Sequence, residues 1–436
     1  MIRREGAWLS AAATLVVLIV VLASCGGSSV RTVREAVGGN EPIDLEVCAP
    51  PAEAGCAVAG GGRRVEVTGR VSEPIAVKPP VDSPLYTIDR DAGVTARLRD
   101  GSVLWLFGDT AARDDAGSIT YFVIGTASWS AADSPATTRD ALDPAASMPT
   151  PVPFVEPTSE FPPCPQQNQR KGSWPSAAVV QQVGPRDRVL VWLENVCLGS
   201  DRSLADRGMS IAEWWYDPSH PPIDQPIRGK VLTQQLFKDR SYGSAALLRN
   251  EGDDGPNDEV VVFRCRTTTE GGSPSEYGPC RVASTTLSTA ADPNSYREWD
   301  GRSFASPVGE GVDLDLPGGG GAPVPPGGFN VQFDRQINAY VMAYSPWPGS
   351  SDVMAIRLAP TPEGPWTTPL LLRLPGCDDR VGTREFHCYA AALQPAFSRR
   401  GRLGIGWYDS QTSSFPVRGS YMIATVPVEA SRSRQS

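Results

Sequence analysis

The chain has 436 residues, including 43 glycines and 41 prolines, and carries a formal net charge of −9. That charge argues against a nucleic-acid partner and otherwise serves solubility. Two histidines and no Cys-x-x-Cys spacing speak against a zinc or thiol-redox centre, and nothing implies a metal or cofactor.

At the N-terminus, Arg3 and Arg4 precede the apolar run 11–22 (AAATLVVLIVVL), which is short for a bilayer span. It ends in Leu22-Ala23-Ser24-Cys25, a lipobox in which small residues precede a cysteine that takes diacylglycerol, and Gly26-Gly27-Ser28-Ser29 follows as a tether. The expectation is a cleaved lipoprotein signal peptide over 1–24. The chain is then extracytoplasmic and anchored to the lipid bilayer of the cell membrane through acylated Cys25. An uncleaved anchor over residues 8–24 is the alternative, and it leaves the rest of the chain on the same side. Setting Cys25 aside leaves eight of nine cysteines, an even number suited to an oxidising compartment. Their clustering favours Cys48 with Cys56, Cys164 with Cys197, Cys265 with Cys280, and Cys377 with Cys388.

Residues 25–84 read as a flexible tether and irregular lead-in, rich in Gly, Ala, Pro and Glu. The ordered domain is expected over 85–428, with a disordered tail at 429–436. Within it, five units each pair a short β-run with a second one rich in Val, Leu, Ile, Trp and Tyr. The units are 91–98 with 103–109, 176–180 with 189–194, 243–248 with 259–263, 330–333 with 339–344, and 391–397 with 403–408. Further strands follow at 281–287, 353–358 and 421–426, and Pro- and Gly-rich insertions occupy 145–170 and 306–328. This spacing predicts an all-β chain folded as a five-bladed β-propeller, with a two-sheet sandwich as the rival. The glycine-rich stretch 317–328 lacks a Lys-Ser or Lys-Thr ending and no helix follows, which excludes a phosphate loop.

Carboxylates are the candidate catalytic groups, and the most distinctive lie in the first unit. Asp91 precedes one strand and Asp109 ends its partner, so a hairpin turn at Asp100-Gly101 brings both to the same end. A two-residue loop would send their side chains to opposite faces, and a three-residue loop with a bulge would put them on one face. Two acids at one end of a propeller's innermost strands suit glycosidic cleavage, one as proton donor and the other as nucleophile or base. Glu194 holds in the second unit the place of Asp109, and Asp409 follows the matching strand of the fifth. Tyr344, like other strand aromatics, offers a face for a sugar, and His387 beside Cys388 offers a hydrogen bond from the rim. These four are candidate substrate-binding residues. Trp105, Trp192, Trp407 and Tyr408 read more simply as blade packing.

Asp91-Ala92-Gly93, the run 104–110 (LWLFGDT), the turn 363–366 (EGPW) and the run 392–397 (ALQPAF) together resemble a family of five-bladed propellers long known only as a domain of unknown function. Some of its members are endo-D-arabinofuranases. The resemblance spans roughly residues 85–428, and the first-blade motif is its most specific part. It implies a glycoside hydrolase whose first-blade acids carry over onto Asp91 and Asp109. Other five-bladed glycosidases place an Asp at the start of the second blade and a Glu at the start of the third, where this chain has Trp174-Pro-Ser and Tyr242-Gly-Ser. The resulting expectation is a monomeric, surface-anchored glycoside hydrolase acting on arabinofuranosyl cell-envelope polysaccharide. A non-catalytic propeller lipoprotein that binds envelope glycan or a protein partner is the alternative.

Overall fold

The computed structural model describes residues 45–46, 63–113, 118–140, 142–143, 146, 149–200, 203–223, 225–238, 242–249, 258–267, 277–317, 324, 328–335, 337–346, 352–377, 388–410 and 419–432. All belong to one unit, Asn40–Ser436. The lipobox, Cys25, Cys48, Cys56 and His387 lie outside the described residues, as does the apolar run 11–22. Among the described residues no helix is long and apolar enough to cross a membrane.

The N-terminal segment contributes β1 (Leu45–Glu46), β2 (Arg63–Val67) and β3 (Ile75–Ala76). Blade one is built from β4 (Asp89–Arg90), β5 (Val94–Arg97), β6 (Val103–Arg113) and β7 (Ile119–Ser130). Blade two follows with β8 (Arg170–Val183), β9 (Arg186–Leu198), β10 (Leu204–Tyr216) and β11 (Lys230–Phe237). Blade three comprises β12 (Ala245–Leu248), β13 (Glu259–Thr267), β14 (Tyr277–Thr286), β15 (Arg297–Trp299) and β16 (Phe304–Ser306). Blade four comprises β17 (Phe329–Asp334), β18 (Ala339–Tyr344), β19 (Val353–Ala359) and β20 (Leu370–Arg373). Blade five has β21 (Tyr389–Leu393), β22 (Arg402–Ser410) and β23 (Gly419–Arg432), and β2 and β3 both pair with β23.

Innermost strands touch in the order β5, β8, β12, β17, β21, and the turn after β21 returns to β5. The fold is therefore a five-bladed β-propeller, and the sandwich reading falls because five separate sheets stand round one axis. Each seam between blades holds its own hydrophobic cluster. Leu104 and Leu106 meet Val191 and Leu193 between blades one and two. Trp192 and Met209 meet Val260 and Val262 at the next seam, and Phe263 meets Met342 and Tyr344 at the third. Val341 and Ile356 meet Leu393 and Ile405 at the fourth, while Trp105 and Phe107 meet Tyr421 and Ile423 at the fifth. The strands read as apolar on both faces because each blade is covered on both sides.

The ordered fold begins well before residue 85. Val67 pairs with Val428 and β2 runs antiparallel to β23 as far as Arg432, so residues 63–76 complete the last blade and 429–432 are strand rather than tail. A five-residue strand recruited from the far end of the chain carries no local periodicity that would announce this. Three disulfides form between sequence neighbours, as clustering suggested: Cys164–Cys197, Cys265–Cys280 and Cys377–Cys388.

Polar stitches also cross the seams. Asn330 bonds both ways with the backbone of Leu393, its Nδ2 donating to the carbonyl at 2.6 Å and its Oδ1 accepting from the N–H at 2.8 Å. At the closing seam, fully buried Gln394 accepts from Thr95 Oγ1 at 2.8 Å and donates to the Gly93 carbonyl at 2.9 Å and to the Tyr421 hydroxyl at 2.7 Å. Gln394→Ala removes these three buried bonds, while the Tyr421 hydroxyl still reaches the Gly93 carbonyl at 2.9 Å. It is expected to lower stability by about 2–4 kcal/mol in a urea or guanidinium titration, with the far-UV spectrum of the folded state retained.

Candidate active site

The first hairpin settles which faces its acids occupy. Leu98 donates its N–H to the Ser102 carbonyl at 2.9 Å, which leaves a three-residue loop, Arg99-Asp100-Gly101. Gly101 takes φ 84°, the left-handed conformation that such a loop needs at its third position. The Asp100 carboxylate secures the turn by accepting from the Ser102 N–H at 3.0 Å and hydroxyl at 2.6 Å. This is the three-residue alternative, and the register carries Asp91 opposite Asp109: Arg97 faces Val103, Val94 faces Leu106 and Arg90 faces Thr110.

The ladder is interrupted where the two acids meet. Ala92 adopts φ 49°, which separates β4 from β5. Asp91 donates its N–H to the Asp109 carbonyl at 3.1 Å, and its own carbonyl accepts from the Gly108 N–H at 2.9 Å. The Asp109 N–H turns instead to Asp91 Oδ1 at 2.6 Å. Gly108 must lack a side chain, because a Cβ there would stand 2.7 Å from Asp91 Oδ1.

Each carboxylate has a donor from a different blade. The Tyr389 hydroxyl, at the start of β21, donates to Asp91 Oδ2 at 2.8 Å. The Trp174 indole Nε1–H, near the start of β8, donates to Asp109 Oδ1 at 2.7 Å. Behind Tyr389 stands Tyr408, ring centroids 4.8 Å apart. Its hydroxyl donates to buried Asp89 at 3.4 Å, which also accepts from the Gly419 N–H at 2.7 Å.

Burial pushes the Asp91 carboxyl above its ordinary value, with help from the charge of Asp89, against the bonds from the Asp109 N–H and Tyr389. Asp109 is pushed well above its ordinary value, first by burial and then by the Asp91 charge, while the Trp174 N–H and the Arg170 charge oppose this. Two acids this close share a titration, and burial together with the repulsion between them favours a proton held on the pair.

The remaining candidates fall in different places. Glu194 is buried opposite Trp174 in its ladder, in the register place that Asp109 holds in blade one. Asp409 lies in β22 with its carboxylate 4.0 Å from the Cys388 sulfur, next to the Cys377–Cys388 disulfide. Tyr344 does not face a substrate. It is fully buried at the seam of blades three and four, its hydroxyl accepting from Arg357 Nε at 2.8 Å, and it serves the core. Among the described residues no three His, Cys, Asp or Glu side chains gather as a metal-binding cluster.

Trp174 and Tyr389 are the site residues that sequence reasoning missed. The usable signal was positional: Tyr389 opens the innermost strand of blade five and Trp174 lies in the first part of that of blade two, much as Asp91 stands just ahead of β5. The far end of the channel is distinct. There a cavity of 610 Å³ is lined by later parts of the innermost strands, including Arg97, Val179, Gln182, Leu248, Gln332 and Asp334, and it contains neither acid.

The sequence matches no protein-family model and no curated protein. Solved structures do match. A Bacteroides ovatus protein designated a candidate hydrolase is 16% identical, over 83% of this chain and 90% of its own, with a TM-score of 0.54. A Bacillus subtilis arabinanase is 11% identical, over 77% of this chain and 94% of its own, with a TM-score of 0.39. A Bacillus licheniformis endo-arabinanase is 11% identical, over 80% and 96%, with a TM-score of 0.39. At these identities the likeness extends to the fold alone.

Two outcomes follow from the packing of the pair. Gly108→Ala forces the Asp91 carboxylate from its place and is expected to cost about 1–3 kcal/mol in chemical denaturation. Asp109 binds its proton more tightly folded than unfolded, so its contribution to stability is intact below the unfolded value and falls as pH rises toward the folded one. Asp109→Asn is therefore expected to stabilise the chain by on the order of 1 kcal/mol at pH 7, a gain that shrinks toward pH 4 when unfolding midpoints are compared.

Proposed function

We propose that this chain is a glycoside hydrolase cutting arabinofuranosyl polysaccharide of the cell envelope, with Asp109 as proton donor and Asp91 as its ionised partner. One observation carries the reading. Two neighbouring carboxylates sit where the innermost strands begin, half-buried, and each is held by its own donor from a flanking blade. A pair of acids whose surroundings favour different protonation states is what glycosidic cleavage requires. Asp109 would protonate the departing glycosidic oxygen. Asp91, with both oxygens already accepting hydrogen bonds, would stay ionised and attack the anomeric carbon or deprotonate the attacking water.

The designation of the Bacteroides ovatus protein as a candidate hydrolase agrees with this chemistry. The first-blade motif, with its resemblance to arabinofuranases, supports the substrate class. The lipobox ending at Cys25 supports action at the producer's own envelope rather than by a freely diffusing enzyme.

The test is incubation of the protein with purified arabinogalactan and lipoarabinomannan, followed by analysis of released oligosaccharides. Release is expected from the wild type, and Asp91→Asn and Asp109→Asn, shown to be folded, are each expected to lower it by about 10²–10⁴-fold. Binding of either glycan without any product would sink the enzymatic reading in favour of a glycan-binding propeller.

A further inference from the structure

We propose that Trp174 and Tyr389 are positioning residues that assign the two carboxylates different tasks, Trp174 aiming Asp109 as the proton donor and Tyr389 holding Asp91 as the acceptor. The inference rests on the glycosidase reading for its kinetic consequences and on geometry for its structural ones.

The ladders identify these residues as the counterparts of Asp91 in other blades. Asp91 faces Asp109 across the first hairpin, Trp174 faces Glu194 across the second and Tyr389 faces Tyr408 across the fifth. A local break accompanies each. Ala92 has φ 49°, the β8 register shifts between Pro175 and Ala177, and Ala390 has φ 53° with a register shift between Tyr389 and Ala392. Blades two and five flank blade one, so these breaks bring both residues to the acids from opposite sides.

The donor chemistry then separates the roles. An indole N–H can only donate, so Asp109 Oδ1 is the accepting oxygen, and Oδ2 is the better seat for a proton because a protonated oxygen is the weaker acceptor. Trp174 thereby favours Oδ2 as the oxygen that delivers the proton. Asp91 accepts at both oxygens, Oδ1 from the Asp109 N–H and Oδ2 from the Tyr389 hydroxyl, so protonating either one weakens a bond that favours the ionised form. The groups that bear on these two are Asp89 from β4, Arg170 at the start of β8, and Tyr389, Tyr408 and Tyr421 from blade five. Asp89 and Arg170 pull in opposite senses on different members of the pair, and neither substitutes for the two donors.

The experiment follows the aspartate carboxyl carbons by NMR titration in the full-length chain, as wild type, Trp174→Phe and Tyr389→Phe, beside the pH dependence of arabinan cleavage. Loss of a donor to the ionised form raises a carboxyl's proton affinity. Tyr389→Phe is expected to move the Asp91 midpoint up by about one pH unit, roughly tenfold, and to carry the acid limb of the rate profile up with it. Trp174→Phe is expected to move the Asp109 midpoint and the alkaline limb up by a similar amount. One variant narrows the profile and the other widens it, a split that general loss of structure does not produce. The proposal is overturned if neither variant moves its own carboxyl, or if each moves the other's. Should the wild type cleave no arabinan while the NMR midpoints move as stated, positioning stands and the glycosidase reading fails. A test without substitution uses the Trp174 indole N–H resonance of the wild type. It must shift with the titration of Asp109, and a flat response overturns the assignment.

Discussion

Asp91 and Tyr389 stand 298 positions apart in the chain, and the hydrogen bond between them exists only when the ring of blades is closed. Closure uses both ends of the fold. The N-terminal β2 lies along β23 as an outer strand of the last blade. On the inner side, Gln394 and the Tyr421 hydroxyl both reach the Gly93 carbonyl, two residues beyond Asp91. A loop of this length costs little more to close than a shorter one, since the entropy rises only with the logarithm of length. The seam must nevertheless recover that cost in contacts, and it does so through buried aromatics, Trp105 packing on Phe397 at 5.4 Å and on Tyr421 at 6.2 Å. The site and the closure are thus one structure. Whatever loosens the seam also loosens Asp91.

The site is costly for the fold that carries it. Ala92 and Ala390 hold left-handed backbone conformations that a side chain disfavours by about 1–2 kcal/mol each. Two half-buried acids add mutual repulsion whenever both are ionised. An apolar pair would remove the repulsion but leave the Asp109 N–H, the Trp174 N–H and the Tyr389 hydroxyl without these acceptors. Strain and like charges are gathered at one point, against well-packed seams elsewhere, and this supports the catalytic reading proposed for the pair.

The fold was legible in the sequence because each blade repeats the same short runs, and hydrophobic runs with turns between them have few other solutions. The first-hairpin parity was not, since it depends on whether Leu98 and Ser102 pair, a choice that Gly101 permits but does not dictate. The start of the domain escaped because β2 gains its meaning from β23, on the other side of the chain. Tyr344 misled for a related reason: an aromatic residue in a strand looks alike whether it faces a channel or a neighbouring blade, and here the buried Arg357 claims its hydroxyl. Trp174 was visible as a departure from the acids of other propeller glycosidases, and Tyr389 carried no such mark. Their partners could not be read, because adjacency round a ring is a tertiary property.

The five blades share a plan and diverge at one place in it. Where blade one has Asp91 against Asp109, blade two has Trp174 against Glu194 and blade five has Tyr389 against Tyr408. In blade three, Tyr242 at the corresponding start turns its hydroxyl to Glu298 at 2.5 Å, in a buried cluster with Arg264 and the Gly311 N–H. In blade four, Phe329 faces Tyr344, and both are buried. Blades three and four have therefore turned this place inward to build core, whereas blades two and five have turned it toward blade one. The symmetry of the fold supplies five equivalent positions, and the sequence breaks that symmetry along a single arc of three blades. A ligand engaging the acid pair would meet it with Trp174 on one side and Tyr389 on the other, so its orientation follows from the order of the blades round the ring.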